Sequence, residues 1–169
     1  MTAVGQVKRA VAAAIEAAGC AAIESYSEEQ LKRYATAVAA VGTKETVIEE
    51  SGAAQYLGEK VDEATQETVS VYGRKMLLTL LTEVYAPRTM GAAGCEEAAE
   101  TITQAMMTAL PEGLKLRTLQ WGKTGWDKTT GMFRLDASAK YAAYFVAAAA
   151  EDETVFTDFV LKGTVKERE

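Results

Sequence analysis

The stretch from Met132 to Ala148 alternates between two kinds of side chain with a period of two. One set is largely apolar, namely Phe133, Leu135, Ala137, Ala139, Tyr141, Ala143 and Phe145. The set between them begins with Arg134, Asp136, Ser138 and Lys140. Successive side chains of a β-strand point to opposite faces of its sheet, so this pattern predicts a long strand with one apolar and one polar face.

Two further segments show helical periodicity instead. Near the N-terminus Val4, Val7, Val11, Ile15 and Ala18 recur at steps of three and four residues. A second stripe consists of Cys95, Ala98, Ala99, Ile102, Met106, Ala109 and Leu110. Each stripe places apolar side chains on one face of a helix, which predicts helices over about 2–18 and 92–110.

Extended segments account for most of the remaining chain. Strands are predicted over about 33–50, 67–86, 114–121, 132–148 and 154–164. Residues 51–66 are rich in Gly, Glu, Asp and Gln and are interpreted as a loop, and Gly42-Thr43 is a candidate bulge. Long strands joined by hairpins favour an antiparallel sheet. We therefore predict a single α+β domain over residues 1–169, with two main helices packed on one face of the sheet.

Charge and cysteine content exclude several classes of protein. The chain of 169 residues has a net charge of −6, which argues against a protein that wraps nucleic acid. No apolar run approaches the ~18 residues of a membrane span, so no membrane association is expected. Cys20 and Cys95 do not form a disulfide framework, and Cys95 is predicted to be a buried core thiol. These features together predict a cytoplasmic location.

The segment WGKTG, from Trp121 to Gly125, contains fragments of two catalytic motifs. A phosphate-binding P-loop needs a glycine five residues before Gly122, where this chain has Arg117. The Lys-Thr-Gly box of serine β-lactamases needs a Ser-x-x-Lys and a Ser-Asp-Asn elsewhere, and the chain has neither. We interpret Gly122 to Gly131 as a turn-rich connection between two strands.

The chain has few other residues of the kinds that usually form a catalytic site. The chain has no histidine, which removes the commonest general base and metal ligand. Carboxylates occur in neighbouring pairs that diverge on a helix or strand, so none is a ready acid–base couple. We predict no enzymatic activity, no metal and no cofactor. The candidate functional residues are instead the interface residues Trp121, Lys123, Trp126 and Lys128.

Several phrases of the sequence resemble one protein family. They are AAQYLG (53–58), VYGRKMLLTLLTEVYAPRTMGAAGCEEA (71–98), LPEGLKLRTLQWGKTGWDKTTGMFRLDASAKYAAYF (110–145) and FTDFVLKGTV (156–165). They are similar to tail-terminator proteins, also called tail-completion, minor tail or minor capsid proteins, of phages and prophages of Gram-positive bacteria. Phage-tail-like particles use similar proteins. The resemblance covers most of the chain from about Ala53 onward.

This resemblance implies a structural role. Copies would form a ring, typically a hexamer, that caps the tail tube and joins it to the head or collar. The expected partners are other copies of the chain, the tail tube protein and head–tail connector or collar proteins. DNA would pass through transiently without sequence-specific binding. The protein would occupy the bacterial host cytoplasm during assembly and afterwards the virion or phage-like particle.

Two alternatives stay open on the sequence. The chain could be another neck, connector or baseplate component, and position in the particle separates that from a tail terminator. A small acidic ligand-binding domain or enzyme would instead predict a deep cleft lined by carboxylates with perturbed pKa values. Nucleotide binding that depends on Lys123 would favour this second alternative.

Overall fold

A computed structural model describes residues 3–50, 55–150 and 153–155 of the chain. The helices in this part are α1 (Ala3–Ala17), α2 (Glu28–Leu31) and α3 (Gly91–Thr108). The strands are β1 (Ala21–Ile23), β2 (Val38–Glu49), β3 (Tyr56–Val61), β4 (Thr68–Ala86), β5 (Lys115–Trp121), β6 (Gly125–Asp127), β7 (Met132–Ala150) and β8 (Glu153–Val155). The predicted α+β class is confirmed.

Two long strands form the centre of the sheet. β4 and β7 are antiparallel and pair from Tyr72–Ala147 to Ala86–Phe133. β2 and β3 follow one another along the far side of β4 and both pair with it, and β5 and β6 likewise follow one another along the far side of β7. β8 pairs with the end of β7. The alternating stretch that predicted a long strand is therefore a central strand of the fold.

The sheet is antiparallel, as predicted, except at one edge. β1 pairs with β2 in parallel, which makes the sheet mixed. A parallel pair requires a crossover connection instead of a tight turn. The connection here contains α2, a helix of one turn that the periodicity analysis missed because it is too short to show a repeat.

The main core lies between the sheet and helices α1 and α3. α1 contributes Val7, Val11 and Ile15, and α3 contributes Cys95, Ile102 and Met106, all of them buried. The sheet contributes alternate residues of its central strands, including Leu78, Leu80, Leu135, Ala139 and Tyr141. Both predicted helices therefore pack on one face, and Cys95 is a core thiol as expected. Burial raises the pKa of the Cys95 thiol to about 11, which keeps it protonated.

Far fewer side chains pack on the opposite face of the sheet. Ile23, Leu31, Val38 and Tyr85 form a second cluster beneath the α2 connection. Ser27 caps α2 by accepting a hydrogen bond from the backbone N–H of Gln30, 3.4 Å away. This cluster anchors the crossover to one end of the sheet.

The boundaries of two predicted segments need correction. The strand predicted from 33 begins only at Val38, because Arg33 and Tyr34 donate backbone hydrogen bonds back into the turn that ends α2. The predicted loop 51–66 contains β3, whose pairing with β4 satisfies its backbone. The pairing of β2 with β4 shifts register between Thr43 and Glu45, next to the predicted bulge at Gly42-Thr43.

The remaining boundaries agree more closely with prediction. The last predicted strand, 154–164, is described only from Glu153 to Val155, and its remainder lies outside the described residues. In the described part of the chain, no helix is long and apolar enough to cross a membrane.

Candidate assembly interface

The sheet extends well beyond the helices at one end. We call the exposed part of the sheet toward this end the arm. It comprises residues 43–50, the end of β2 that runs beside the core residues Leu78 and Leu80 of β4, and residues 55–72, which include all of β3 and the start of β4. Residues from Thr43 to Glu50 are all exposed, although alternate residues would be buried if a layer covered one face of the strand. Neither face of β2 is covered here by the described residues.

A tight turn at Asp62 forms the tip of the arm. The Asp62 carboxylate accepts hydrogen bonds from the backbone N–H groups of Ala64, at 2.8 Å, and Thr65, at 3.3 Å. The backbone N–H of Asp62 donates to the Glu67 carbonyl, and the N–H of Gln66 donates to the Asp62 carbonyl. Aspartate favours such turns because its side chain can replace a backbone acceptor. The tip therefore has a defined connection between β3 and β4.

The arm displays apolar side chains despite its exposure. The large exposed apolar residues on it are Val47, Ile48, Tyr56, Val61 and Val69. Ile48 is 50% exposed and Val61 is 54% exposed. Tyr56 contacts Tyr72 edge to face, with ring centroids 5.7 Å apart. Exposed apolar side chains that cluster on one projection are typical of an association surface.

The base of the arm is closely packed. A Cβ atom added at Gly73 would lie 2.2 Å from the carbonyl oxygen of Phe145 and 2.9 Å from a methyl group of Leu57. Leu57 is buried, so β3 packs against β4 at this point. The glycine thus permits a close approach of backbone and side chain that joins the arm to the central strands.

The arm is also acidic. It has seven carboxylates and two lysines, a net charge of −5. The carboxylates belong to Glu45, Glu49, Glu50, Glu59, Asp62, Glu63 and Glu67, and the lysines are Lys44 and Lys60. The chain as a whole has a net charge of −6. Most of its negative excess is therefore concentrated on one projection.

The predicted interface residues lie near the other end of the sheet. WGKTG interrupts a single edge strand: Trp121 pairs with Ala137, and Gly125 pairs with Arg134. The three residues 122–124 therefore face only two residues of β7, which is the geometry of a bulge. The predicted turn-rich connection from Gly122 to Gly131 therefore needs correction, because it contains the strand β6, which runs in the same direction as β5 along β7. A strand follows Gly-Lys-Thr, whereas a P-loop requires a helix.

The four candidate residues have different environments. Lys123, Trp126 and Lys128 are exposed, and Trp126 contacts Phe133 edge to face at 5.1 Å. Trp121 instead packs against the main core, and its indole N–H donates to the hydroxyl of Thr103 on α3 at 3.0 Å. Three candidates therefore share exposure near this end of the sheet, while Trp121 joins β5 to α3.

Lys128 lies in a second turn that an aspartate side chain stabilises. The Asp127 carboxylate accepts from the Thr130 hydroxyl at 2.6 Å and from the backbone N–H groups of Thr129 and Thr130. These hydrogen bonds, with that of the hydroxyl the strongest, lower the pKa of Asp127 below its ordinary value. The turn thus holds its own carboxylate in place and leaves Lys128 exposed.

We call residues 115–128 the basic edge. It contains Lys115, Arg117, Lys123 and Lys128, with Asp127 as its one carboxylate, and so has a net charge of +3. All four basic residues are exposed. Among the described residues its strands β5 and β6 have a partner strand on one side only, which is β7. Lysine on an edge strand disfavours pairing with another edge of the same charge.

At the same end of the sheet as Gly125, which pairs with Arg134, an ion cluster crosses the less covered sheet face. The Arg134 guanidinium bonds to Glu83 at 2.5 Å and to Asp136 at 2.6 Å, and it lies 5.8 Å from the Tyr85 ring centroid. Burial raises the pKa of Glu83 above its ordinary value even though Arg134 opposes the shift. The hydrogen bond from Arg134 to Asp136, together with the negative charges of Asp136 and Glu83, raises the pKa of Arg134 above its ordinary value. The cluster ties β4 to β7 and leaves its arginine paired.

Two surface grooves among the described residues are the candidates for the cleft that an enzyme would need. One lies along α3 and Trp121, with Glu97 and Glu100 in its wall. The other lies between α1 and the β1–α2 segment and includes Glu16 and Glu24. Both are open to solvent, and neither contains Glu83, the carboxylate whose pKa is raised. No group of three or more potential metal ligands occurs in the described ranges 3–50, 55–150 and 153–155.

Compared with protein-family models and with curated protein sequences, the chain matches none. The resemblance to tail-terminator proteins therefore stays a prediction based on the phrases quoted above. Sequence reasoning missed the arm because residues 51–66 were interpreted as a loop. The available signal was the apolar pair Val61 and Val69 on either side of the polar segment 62–67, which contains the Asp62 turn.

Proposed function

We propose that this protein is a structural subunit that assembles into a ring at the end of a phage or phage-like tail tube and joins it to the head or collar. The observation that carries the proposal is the arm, which projects from a folded core and exposes Ile48, Val61 and other apolar side chains. In a monomer these apolar side chains stay in contact with water, whereas in an assembly a subunit can bury them against a neighbour.

The resemblance to tail-terminator proteins specifies the kind of assembly. It begins at about Ala53 and extends over β3, β4, α3, β5, β6 and β7, so it includes the β3–β4 part of the arm and the central strands of the core, but neither residues 43–50 nor α1.

Two measurements test the proposal together. Sedimentation equilibrium of the purified chain should give a closed oligomer, and electron microscopy should show rings of uniform diameter. Antibody labelling of tail-like particles from cells that express the chain should mark the head-proximal end of the tube. A strict monomer at every concentration, absent from such particles, would overturn the proposal, and label at the baseplate would assign the chain to a different position.

A further inference from the structure

The tip of the arm and the Trp121–Lys128 part of the basic edge lie toward opposite ends of the sheet, whereas Lys115 is level with Val47 of the arm across β7 and β4. Val61 at the arm pairs with Thr68, and Trp121 on the basic edge pairs with Ala137, which lies beside Thr82. From Thr68 to Thr82 the path along β4 is roughly 45 Å at ~3.3 Å per residue. The tip of the arm therefore cannot reach Lys123 of its own chain.

The two surfaces are complementary in charge. The arm has a net charge of −5, and the basic edge has a net charge of +3. Each surface also presents an exposed aromatic side chain, Tyr56 on the arm and Trp126 on the basic edge. Opposite charge favours encounter between two surfaces, and aromatic residues are enriched at the centres of interfaces.

Contacts between like surfaces are disfavoured by the same charges. Two arms placed side by side would bring acidic side chains such as Glu59 and Glu63 together, and two basic edges would oppose Lys123 and Lys128. Like-charge contacts oppose association. A symmetric dimer through either surface alone is therefore unfavourable, which leaves a head-to-tail contact between the two different surfaces.

We infer that the arm of one copy docks on the basic edge of a second copy of this chain. Such a contact leaves one arm and one edge open on each dimer, so it propagates until the rotation between copies closes a ring. The inference rests on the proposed function, and it adds the two surfaces through which the subunits meet.

Cysteine cross-linking tests this contact directly. Cys20 and Cys95 are buried, so new surface cysteines react against a low background. Under mild oxidation, the double variant V61C/K123C should give a ladder of covalent oligomers. Each single variant should give little product, and an equimolar mixture of the two single variants should give a heterodimer. The matched control V61C/E100C places the second thiol at an exposed position on α3, outside the basic edge, and should not form the ladder.

Charge reversal supplies an independent measurement. E59K/E63K/E67K on the arm, which changes its net charge from −5 to +1, should raise the concentration for half-dissociation at least about tenfold. K123E/K128E on the basic edge, which changes its net charge from +3 to −1, should do the same. A mixture of the two reversed proteins pairs each reversed surface with an opposite charge and should recover mixed oligomers. The association of the unaltered chain should weaken as salt rises, because exposed charges are screened.

The outcomes separate this inference from the proposed function. If the unaltered chain forms rings while V61C/K123C gives no ladder and charge reversal has no effect, the docking contact is wrong and the ring proposal stands. If the unaltered chain remains monomeric at every concentration, both fail. A thiol at Val61 that a maleimide cannot label in dissociated protein would show that the chain itself covers the arm, for example with residues 156–169, and would also overturn the inference.

Discussion

The core and the arm share the strands β2 and β4, but the side chains of these strands are buried in the core and exposed on the arm. Where β4 passes beneath the helices, Leu78 and Leu80 are almost completely buried. Some ten residues earlier, on the arm, Val69 of the same strand is exposed. The strand continues because pairing satisfies its backbone on the arm as well as in the core. The buried part of the sheet therefore supports folding stability, and a separate part carries the proposed surface for association.

The largest expected effect comes from comparing two isoleucines, one in each region. Ile102 on α3 is fully buried, so I102A should lower the free energy of unfolding by about 2–5 kcal/mol through lost burial and a cavity. I48A on the arm should change it by less than about 0.5 kcal/mol, because Ile48 is half-exposed. Urea unfolding of dissociated protein measures both. Equal losses for the two variants would contradict the division between core and arm.

The second prediction concerns the junction between the regions. Replacing Gly73 with alanine places a Cβ against the Phe145 carbonyl, so G73A should destabilise the protein by roughly 1–3 kcal/mol through overpacking. The matched control is G42A on β2, where the nearest atom lies 3.8 Å away and the new methyl group fits. Thermal unfolding of the two variants compares them. A loss for G42A as large as that for G73A would contradict the account of the junction.

The third comparison uses the two tryptophans. W121F removes the indole N–H that bonds to Thr103 and should lower stability by about 1 kcal/mol. W126F retains an aromatic ring on Phe133 and should change stability by less than about 0.5 kcal/mol. Urea unfolding under dissociating conditions measures the difference. Equal effects would show that the hydrogen bond to α3 contributes nothing to holding β5.

The smallest expected effects are changes in folding stability with pH, which run in opposite directions for Glu83 and Asp127. The pKa of Glu83 is raised from 4.5, so its contribution to stability is present below its unfolded pKa and is lost as the pH rises through the raised value. The pKa of Asp127 is lowered from 3.8, so its contribution is present above the unfolded pKa and is lost as the pH falls through the lowered value.

Variants that cannot titrate measure these trends. The unfolding free energy of the unaltered chain minus that of E83Q should decline as the pH rises from about 4 to 7. The corresponding difference for D127N should increase as the pH rises from about 2 to 5. Urea titrations at a series of pH values provide both curves. The same direction for both variants would contradict the environments assigned to these two carboxylates.

Periodicity predicted the parts of the fold that the core determines. Ile102 and Tyr141 belong to stripes with clear periods of a helix and a strand, and both are buried where the pattern placed them. The arm could not be predicted in this way, because its strands have no buried face and therefore no enforced alternation. The short elements β1 and α2 contain too few residues for any period to be visible.

The four predicted interface residues differ in exposure. Exposure of Lys123, Trp126 and Lys128 agrees with a surface role, whereas Trp121 is used to hold β5 against α3. Sequence reasoning treated the four as one group because they are close along the chain. The environment of a tryptophan depends on which helix lies above it, and that is determined by the tertiary arrangement of α3 and β5.

Hydrogen exchange at two protein concentrations tests most directly the claim that the core carries stability and the arm carries association. In dissociated protein, amides of β7 beneath the helices should be protected, and those of Tyr56–Val61 and Thr68–Tyr72 should exchange quickly. In the oligomer, the arm amides should become protected while those of the core change little. Arm amides that exchange equally fast in both states, or that are already protected in the dissociated chain, would contradict the account.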